Sequence, residues 1–216
     1  MLLTCAIVLS GYFSVYPQET KEAISFLDRQ VRDKLCNALT KEEAIIAMSI
    51  VAPEVTQYSQ VRDELETGML KIMYVQKGWG NFSIGPFQMK PRFAEILEAG
   101  KKSLFTNSQK TEREKRNDRI QRLSCLDGQI AYLLLFIETV RIKTADIRFN
   151  TDEEKLLYWA TLYNGGLHLS KEQVKTYLAV KQFPRYGTKF NYAEVCLEFY
   201  RHFKLEQYFG KFLPIN

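Results

Sequence analysis

Histidine is almost missing from this chain, and cysteine is sparse. His168 and His202 are the two histidines, and no Cys-x-x-Cys occurs among Cys5, Cys36, Cys125 and Cys196. A zinc centre or a Ser-His-Asp hydrolase therefore has little to be built from. The scattered cysteines read as small buried apolar residues, and if Cys5 is removed the other three cannot all pair. They leave the redox compartment open. Long hydrophobic runs are also missing. The uncharged stretch over residues 1 to 14 and the cluster from Leu133 to Ile137 are both too short to span a bilayer. There is no internal repeat and no run of alternating strand character, so the chain reads as all-α (mainly α). A net charge of +5 favours anionic partners such as wall polymers, nucleic acid or lipid headgroups, but only in a general way.

What is present is a globular composition. In 216 residues, 46% are hydrophobic and 25% charged, enough for one ordinary domain with a buried core. Residues 1 to 16 read either as a truncated secretory signal or as an ordinary apolar N-terminal segment. Ser10, Gly11 and Ser14 offer small residues for cleavage, but no basic residue precedes the apolar run. Residues 17 to 216 then form a single domain.

Within that domain, Ile24, Leu27, Val31 and Leu35 recur at helical spacing and predict one amphipathic helix over residues 18 to 37. Thr40 followed by Glu43 has the form of a capping box that opens the next helix. Pro53 is expected to close that helix, which puts Glu54 just past its end. Further helices are expected from 63 to 75, from Pro91 onward, from 126 to 140 as the central core helix, and from Thr151 to Tyr163. Two more follow over 170 to 181 and 189 to 205. The polar stretch from Gly100 to Arg122 carries eight Lys or Arg and reads as a solvated loop or an exposed charged helix.

Three short motifs carry chemistry. Glu54 follows Ile50, Val51, Ala52 and Pro53, with Tyr58 one turn on. Apolar surroundings raise a carboxyl pKa and make it a usable acid near neutral pH; the plainer reading is a solvated helix end. In Gly85-Pro86-Phe87-Gln88-Met89-Lys90-Pro91, Gly85 permits close backbone approach to a ligand and Pro86 fixes the turn. Gln88 offers an amide that both donates and accepts, and Met89 a soft apolar wall beside the acid. Read alone, the same residues are a turn ahead of a helix. Tyr163-Asn164-Gly165-Gly166 is a helix stop.

In this order, the three motifs resemble those of the lysozyme-like lytic transglycosylases: a glutamate at a helix end, a Gly-Leu-Met-Gln-type turn and an Ala-Tyr-Asn-Ala-Gly-type turn. The resemblance covers roughly residues 40 to 200. Two departures stand out. Val55 follows the glutamate where the family usually has serine, a place Ser59 or Ser83 could fill. Thirty-one positions separate Glu54 from Gly85, so residues 60 to 80 form an insertion near the cleft. The segment from Gly78 to Phe82 is also similar to goose-type lysozymes, which use an aspartate here. Asp63 is then the candidate second acid, beside Glu64 and Glu66.

The resemblance implies a lysozyme-like helical domain with an active-site groove. It implies cleavage of the MurNAc-GlcNAc bond of peptidoglycan to 1,6-anhydro ends, with Glu54 as acid and base. Tyr163 would face Glu54, and Asn164 would support the sugar or the turn. Gln88, Met89 and Ser83 would contact substrate, and Tyr192 would border the cleft. No metal or organic cofactor is implied. The expected partner is the glycan strand, in the periplasm or outside the cell, with no nucleic acid and no obligate protein partner. The alternatives are a hydrolytic muramidase using Asp63 and a catalytically silent wall-binding domain.

Overall fold

The computed structural model describes residues 12–58, 68, 71–80, 82–100, 110–180 and 190–209. The fold is all-α. The helices are α1 (Tyr12–Val15), α2 (Pro17–Gln30), α3 (Arg32–Cys36), α4 (Lys41–Gln57), α5 (Pro91–Gly100), α6 (Glu112–Leu123), α7 (Leu126–Lys143), α8 (Asp152–Gly165), α9 (Lys171–Ala179) and α10 (Tyr192–Phe209). A π-helical segment, Lys71–Val75, precedes α5. Among the described residues no single helix is long and apolar enough to cross a membrane.

The centre of the molecule is α4, not α7. Every residue of α4 from Glu43 to Pro53 is buried. A helix apolar on all sides is stable only when enclosed, and α10 and α2 pack along it most extensively while α3, α7 and α8 close the remaining sides. The buried Glu43 is neutralised by Arg141 of α7, whose Nη2 lies 2.9 Å from its carboxylate. Thr40 caps α4 by accepting the Glu43 amide at 3.2 Å, but the Glu43 side chain turns to Arg141 and the Thr40 hydroxyl. Only half of the expected capping box forms.

Pro53 does not end α4. The helix runs one further turn to Gln57, and Glu54 lies inside its last turn. A proline removes one amide donor and crowds the carbonyl four residues back, yet side chains from elsewhere support this turn. The Tyr192 hydroxyl donates to the Ile50 carbonyl at 2.8 Å, and the Thr56 hydroxyl donates to the Pro53 carbonyl at 2.7 Å. Tyr12 of α1 meets the same Thr56 hydroxyl at 2.8 Å. Tyr12 and Phe13 are themselves buried, and the Glu198 carboxylate accepts both of their amides.

The helix expected over 18 to 37 breaks at Val31, where the backbone reaches φ −122°. The bend keeps Leu27, Val31 and Leu35 all fully buried, so tertiary packing outweighs continuity of one helix. Two of the described cysteines, Cys36 and Cys125, are exposed because they sit at helix ends; only Cys196 is buried. Of the helix expected from 63 to 75, residues 63–67, 69 and 70 lie outside the described residues, as do Cys5 and residues 101–109.

The basic stretch ends in structure that its composition conceals. The start of α6 is exposed as a charged helix would be, but its second half buries Arg119, Ile120 and Leu123. Glu98 of α5 accepts from Arg119 Nε at 3.0 Å and from Arg122 Nη2 at 2.8 Å, and the Tyr132 hydroxyl also donates to it. Arg119 further bonds the Tyr74 hydroxyl and lies 3.1 Å from Glu95, so the network ties the π-helical segment to α5, α6 and α7. Burial alone would raise the Glu98 pKa, but Arg119, Tyr132 and Arg122 more than offset it, and the carboxyl stays below its ordinary range.

Removing one member of a buried ion pair strands the other charge without solvent, at a cost of roughly 3 to 5 kcal/mol. Glu98→Ala is therefore expected to lower unfolding stability by about 3 kcal/mol in urea titration, while Glu98→Met with Arg119→Met recovers much of the loss. A change of less than about 1 kcal/mol for Glu98→Ala would mean the cluster is solvated.

Candidate functional site

Glu54 sits where α4, α8, α10 and the loop before α5 converge. Its side chain is half-buried, at the end of a helix whose preceding residues are enclosed. This burial raises its pKa from the ordinary 4.5 to about 7, against opposing contributions from the Tyr192 hydrogen bond and the Lys90 charge. Tyr163 and Tyr192 are both pushed well above the usual phenol value, first by burial and then by the proximity of Glu54. Their rings stack with centroids 6.4 Å apart. The Cys196 thiol belongs to the same group: it is raised by burial and by Glu54, and lies 3.7 Å from the Ile50 carbonyl.

The hydroxyl of Tyr192 has one proton and two acceptors, the Ile50 carbonyl and the Glu54 carboxyl. A phenol donates once and accepts through its oxygen. With Glu54 protonated, both bonds are satisfied in a chain, because Glu54 donates to Tyr192 and Tyr192 donates to Ile50. With Glu54 ionised, the carboxylate and the carbonyl compete for the same proton. Donation from Tyr192 to the carboxylate opposes the rise caused by burial, and the competing Ile50 carbonyl limits how far it does so.

The second motif is a tight turn closed by the antiparallel pair Ile84 and Met89, whose reciprocal amide–carbonyl bonds measure 3.0 and 3.1 Å. The Gln88 amide bonds back to the Gly85 carbonyl at 2.9 Å, so Pro86 and Phe87 form the tip. Gly85 has φ +70° and Gln88 φ +47°, a conformation uncommon for a residue with a side chain. The Gln88 side-chain amide nitrogen also donates to the Gly85 carbonyl, at 2.9 Å. Within the protein, the close approach that requires glycine at 85 is to Gln129 of α7. A Cβ there would lie 1.8 Å from Gln129 Nε2.

The third motif joins the first two. Tyr163 ends α8 beside Glu54, and its hydroxyl donates to the Phe87 carbonyl at 2.7 Å. Phe93 and Phe136 pack edge-on against its ring, fixing the phenol direction. Gly166, at φ +111°, then turns the chain out of the helix.

Glu54, Tyr163 and Tyr192 are thus brought together, and the Gln88 turn is bonded to the same cluster. Ser83 is half-buried one residue before the bridge, Met89 is 2% exposed in the core, and Asn164 is exposed at the end of α8. Asp63, Glu64, Glu66 and Ser59 lie outside the described residues, as do residues 60–67, 69 and 70 of the insertion expected over 60 to 80. Two concavities lie elsewhere. One of about 510 Å3 lies at the junction of α7 and α8 around Arg148 and Trp159, and one of about 580 Å3 beside Val75 and α6. Among the described residues no group of His, Cys, Asp and Glu is arranged to hold a metal. Lys90 and Gln129 complete the surroundings of the site; the trace of Gln129 in the sequence is an amide just ahead of the apolar run from Ile130 to Ile137.

Two measurements follow from this geometry. Glu54 carries a raised pKa when folded, so its contribution to stability is complete below about 4.5, is lost as pH climbs to about 7, and levels off above. Glu54→Gln should therefore stabilise the protein by on the order of 2 kcal/mol at pH 8 and by little at pH 4.5, read from denaturant midpoints. An equal effect at both pH values would place the carboxyl in water. Gly85→Ala should cost roughly 2 to 4 kcal/mol, through a left-handed backbone and the collision with Gln129; a neutral result would show that the turn can open. No protein-family model, curated protein or solved structure matches this chain.

Proposed function

We propose that this protein cleaves the MurNAc-GlcNAc β-1,4 bond of peptidoglycan as a lytic transglycosylase, with Glu54 as its single acid and base. The observation that carries the reading is the place of Glu54 beside the half-buried Tyr163 of α8 and the buried Tyr192 of α10, with its pKa raised by burial to about 7. Such a carboxyl holds a proton near neutral pH, which a solvated glutamate does not. The order of the three motifs supplies the substrate class.

In this mechanism Glu54 donates its proton to the glycosidic oxygen as the C1–O bond breaks, and GlcNAc leaves as the alcohol. Positive charge develops at C1 of MurNAc and is met by the carbonyl oxygen of that sugar's own N-acetyl group. The Glu54 carboxylate then removes the proton from the C6 hydroxyl. The C6 oxygen bonds to C1, displaces the N-acetyl oxygen, and closes the 1,6-anhydro ring. Atoms and charge balance without water, and Glu54 ends protonated. Tyr192 steadies the acid between its two states through the hydrogen-bond chain to Ile50, and Tyr163 couples the acid to the Gln88 turn. Gln88 presents its amide to the sugar's N-acetyl or hydroxyl groups.

Purified peptidoglycan digested with the wild type and with Glu54→Gln, and weighed by mass spectrometry, tests the reading. Anhydro-ended muropeptides are expected from the wild type, with the rate reduced by roughly 10³-fold or more in the variant. The wild-type rate should fall as pH rises through about 7, as Glu54 loses its proton. Reducing ends would convert the assignment to a hydrolytic muramidase and turn attention to Asp63. Absence of any product, with the protein retained on the same wall material, would leave a binding domain.

A further inference from the structure

We infer that Gln129 is the positioning residue of the proposed site, acting through the Ile84–Met89 turn. The inference rests on reading that turn as the part that meets the sugar. Gln129 is fully buried within α7. Its Oε1 accepts the Phe87 amide at 2.8 Å, and its Nε2 donates both to the Ile84 carbonyl and, at 2.8 Å, to the Leu123 carbonyl. Both protons of the amide and an oxygen lone pair are thus used, each on backbone. No other residue type of similar size places one acceptor and two donors in this way.

The result is a turn gripped from two sides. Gln129 holds the amide of Phe87, and Tyr163 holds its carbonyl at 2.7 Å. These two peptide units immediately precede Gln88, whose left-handed backbone would otherwise relax. Residues held in sparsely populated conformations persist only where their surroundings over-determine them. Gln129 supplies that determination from outside the turn, 41 positions after Gln88 in the sequence. It touches no substrate, so its influence must pass through the direction in which Gln88 and the Phe87 carbonyl are presented.

This reasoning separates Gln129 from an ordinary buried polar residue. If its role were only to stabilise the fold, its loss would lower the melting temperature and leave turnover by the folded fraction unchanged. If it positions Gln88, its loss must weaken catalysis in the folded protein, and only when Gln88 is there to be positioned.

A double-mutant cycle on peptidoglycan digestion decides this, measured well below each protein's melting temperature. Gln129→Leu is expected to lower kcat/KM by about ten-fold in the wild-type background, but by less than about two-fold when Gln88 is already alanine. Equal losses in both backgrounds, or none in either, would overturn the inference. If Gln129→Leu does not fold, Gln129→Met takes its place in the same cycle with the same expected coupling, since it keeps the volume and removes the amide. A wild type that yields no product overturns the enzymatic reading and this inference with it. A wild type that is active while the two substitutions act independently overturns only the inference.

Discussion

Burying a carboxyl group costs free energy mainly in its charged form, and the way α4 is enclosed decides how Glu54 meets that cost. The helix has no solvent face between Glu43 and Pro53. Its first turn compensates burial by pairing, since Glu43 has Arg141 and is held below its ordinary pKa despite partial burial. Around its last turn no described guanidinium meets the carboxyl; among the described residues Lys90 is the charge near it and Tyr192 the neutral partner. Two glutamates on one helix are thereby driven in opposite directions. The first is structural because its charge is matched. The second keeps its proton because its charge is not.

The same contrast recurs across the molecule. The densest charge cluster, around Glu98 and Arg119, is closed on itself, with Tyr74 and Tyr132 supplying further bonds. Such a network fixes the orientation of α5 and α6 on α7 and leaves no charge free to react. On α7, Gln129 lies within reach of Leu123 at the end of α6, and so links the anchored region to the turn beside Glu54. The end of α6 and the turn beside Glu54 are tied together through backbone contacts made by one amide.

Much of this was legible in the sequence where the signal is local. The apolar run ahead of Glu54 predicts a raised carboxyl pKa, and partial burial at the end of that run raises it to about 7. The glycine at 85 predicts an unusual turn, and the turn is present. What was not legible depends on pairs far apart in the chain. Pro53 reads as a stop because the local rule concerns the lost amide bond, whereas the helix continues with help from Tyr192, 142 positions away from the Ile50 it bonds. The charged stretch reads as solvated because its partners, Glu98 and Tyr74, lie 21 and 45 positions before Arg119. The partner of Gly85 is likewise on another helix, so the need for glycine was visible but its cause was not.

The two tryptophans occupy opposite extremes of this structure. Trp159 is 1% exposed, with its indole nitrogen bonded to Thr144 and Lys155 above its ring, while Trp79 is 71% exposed on the approach to the Gln88 turn. Indole emission lies at shorter wavelength in an apolar interior and at longer wavelength in water. The protein therefore carries two intrinsic optical reporters separable by colour: a blue component that follows the integrity of the helical core, and a red component that follows whatever settles beside residues 78 to 80.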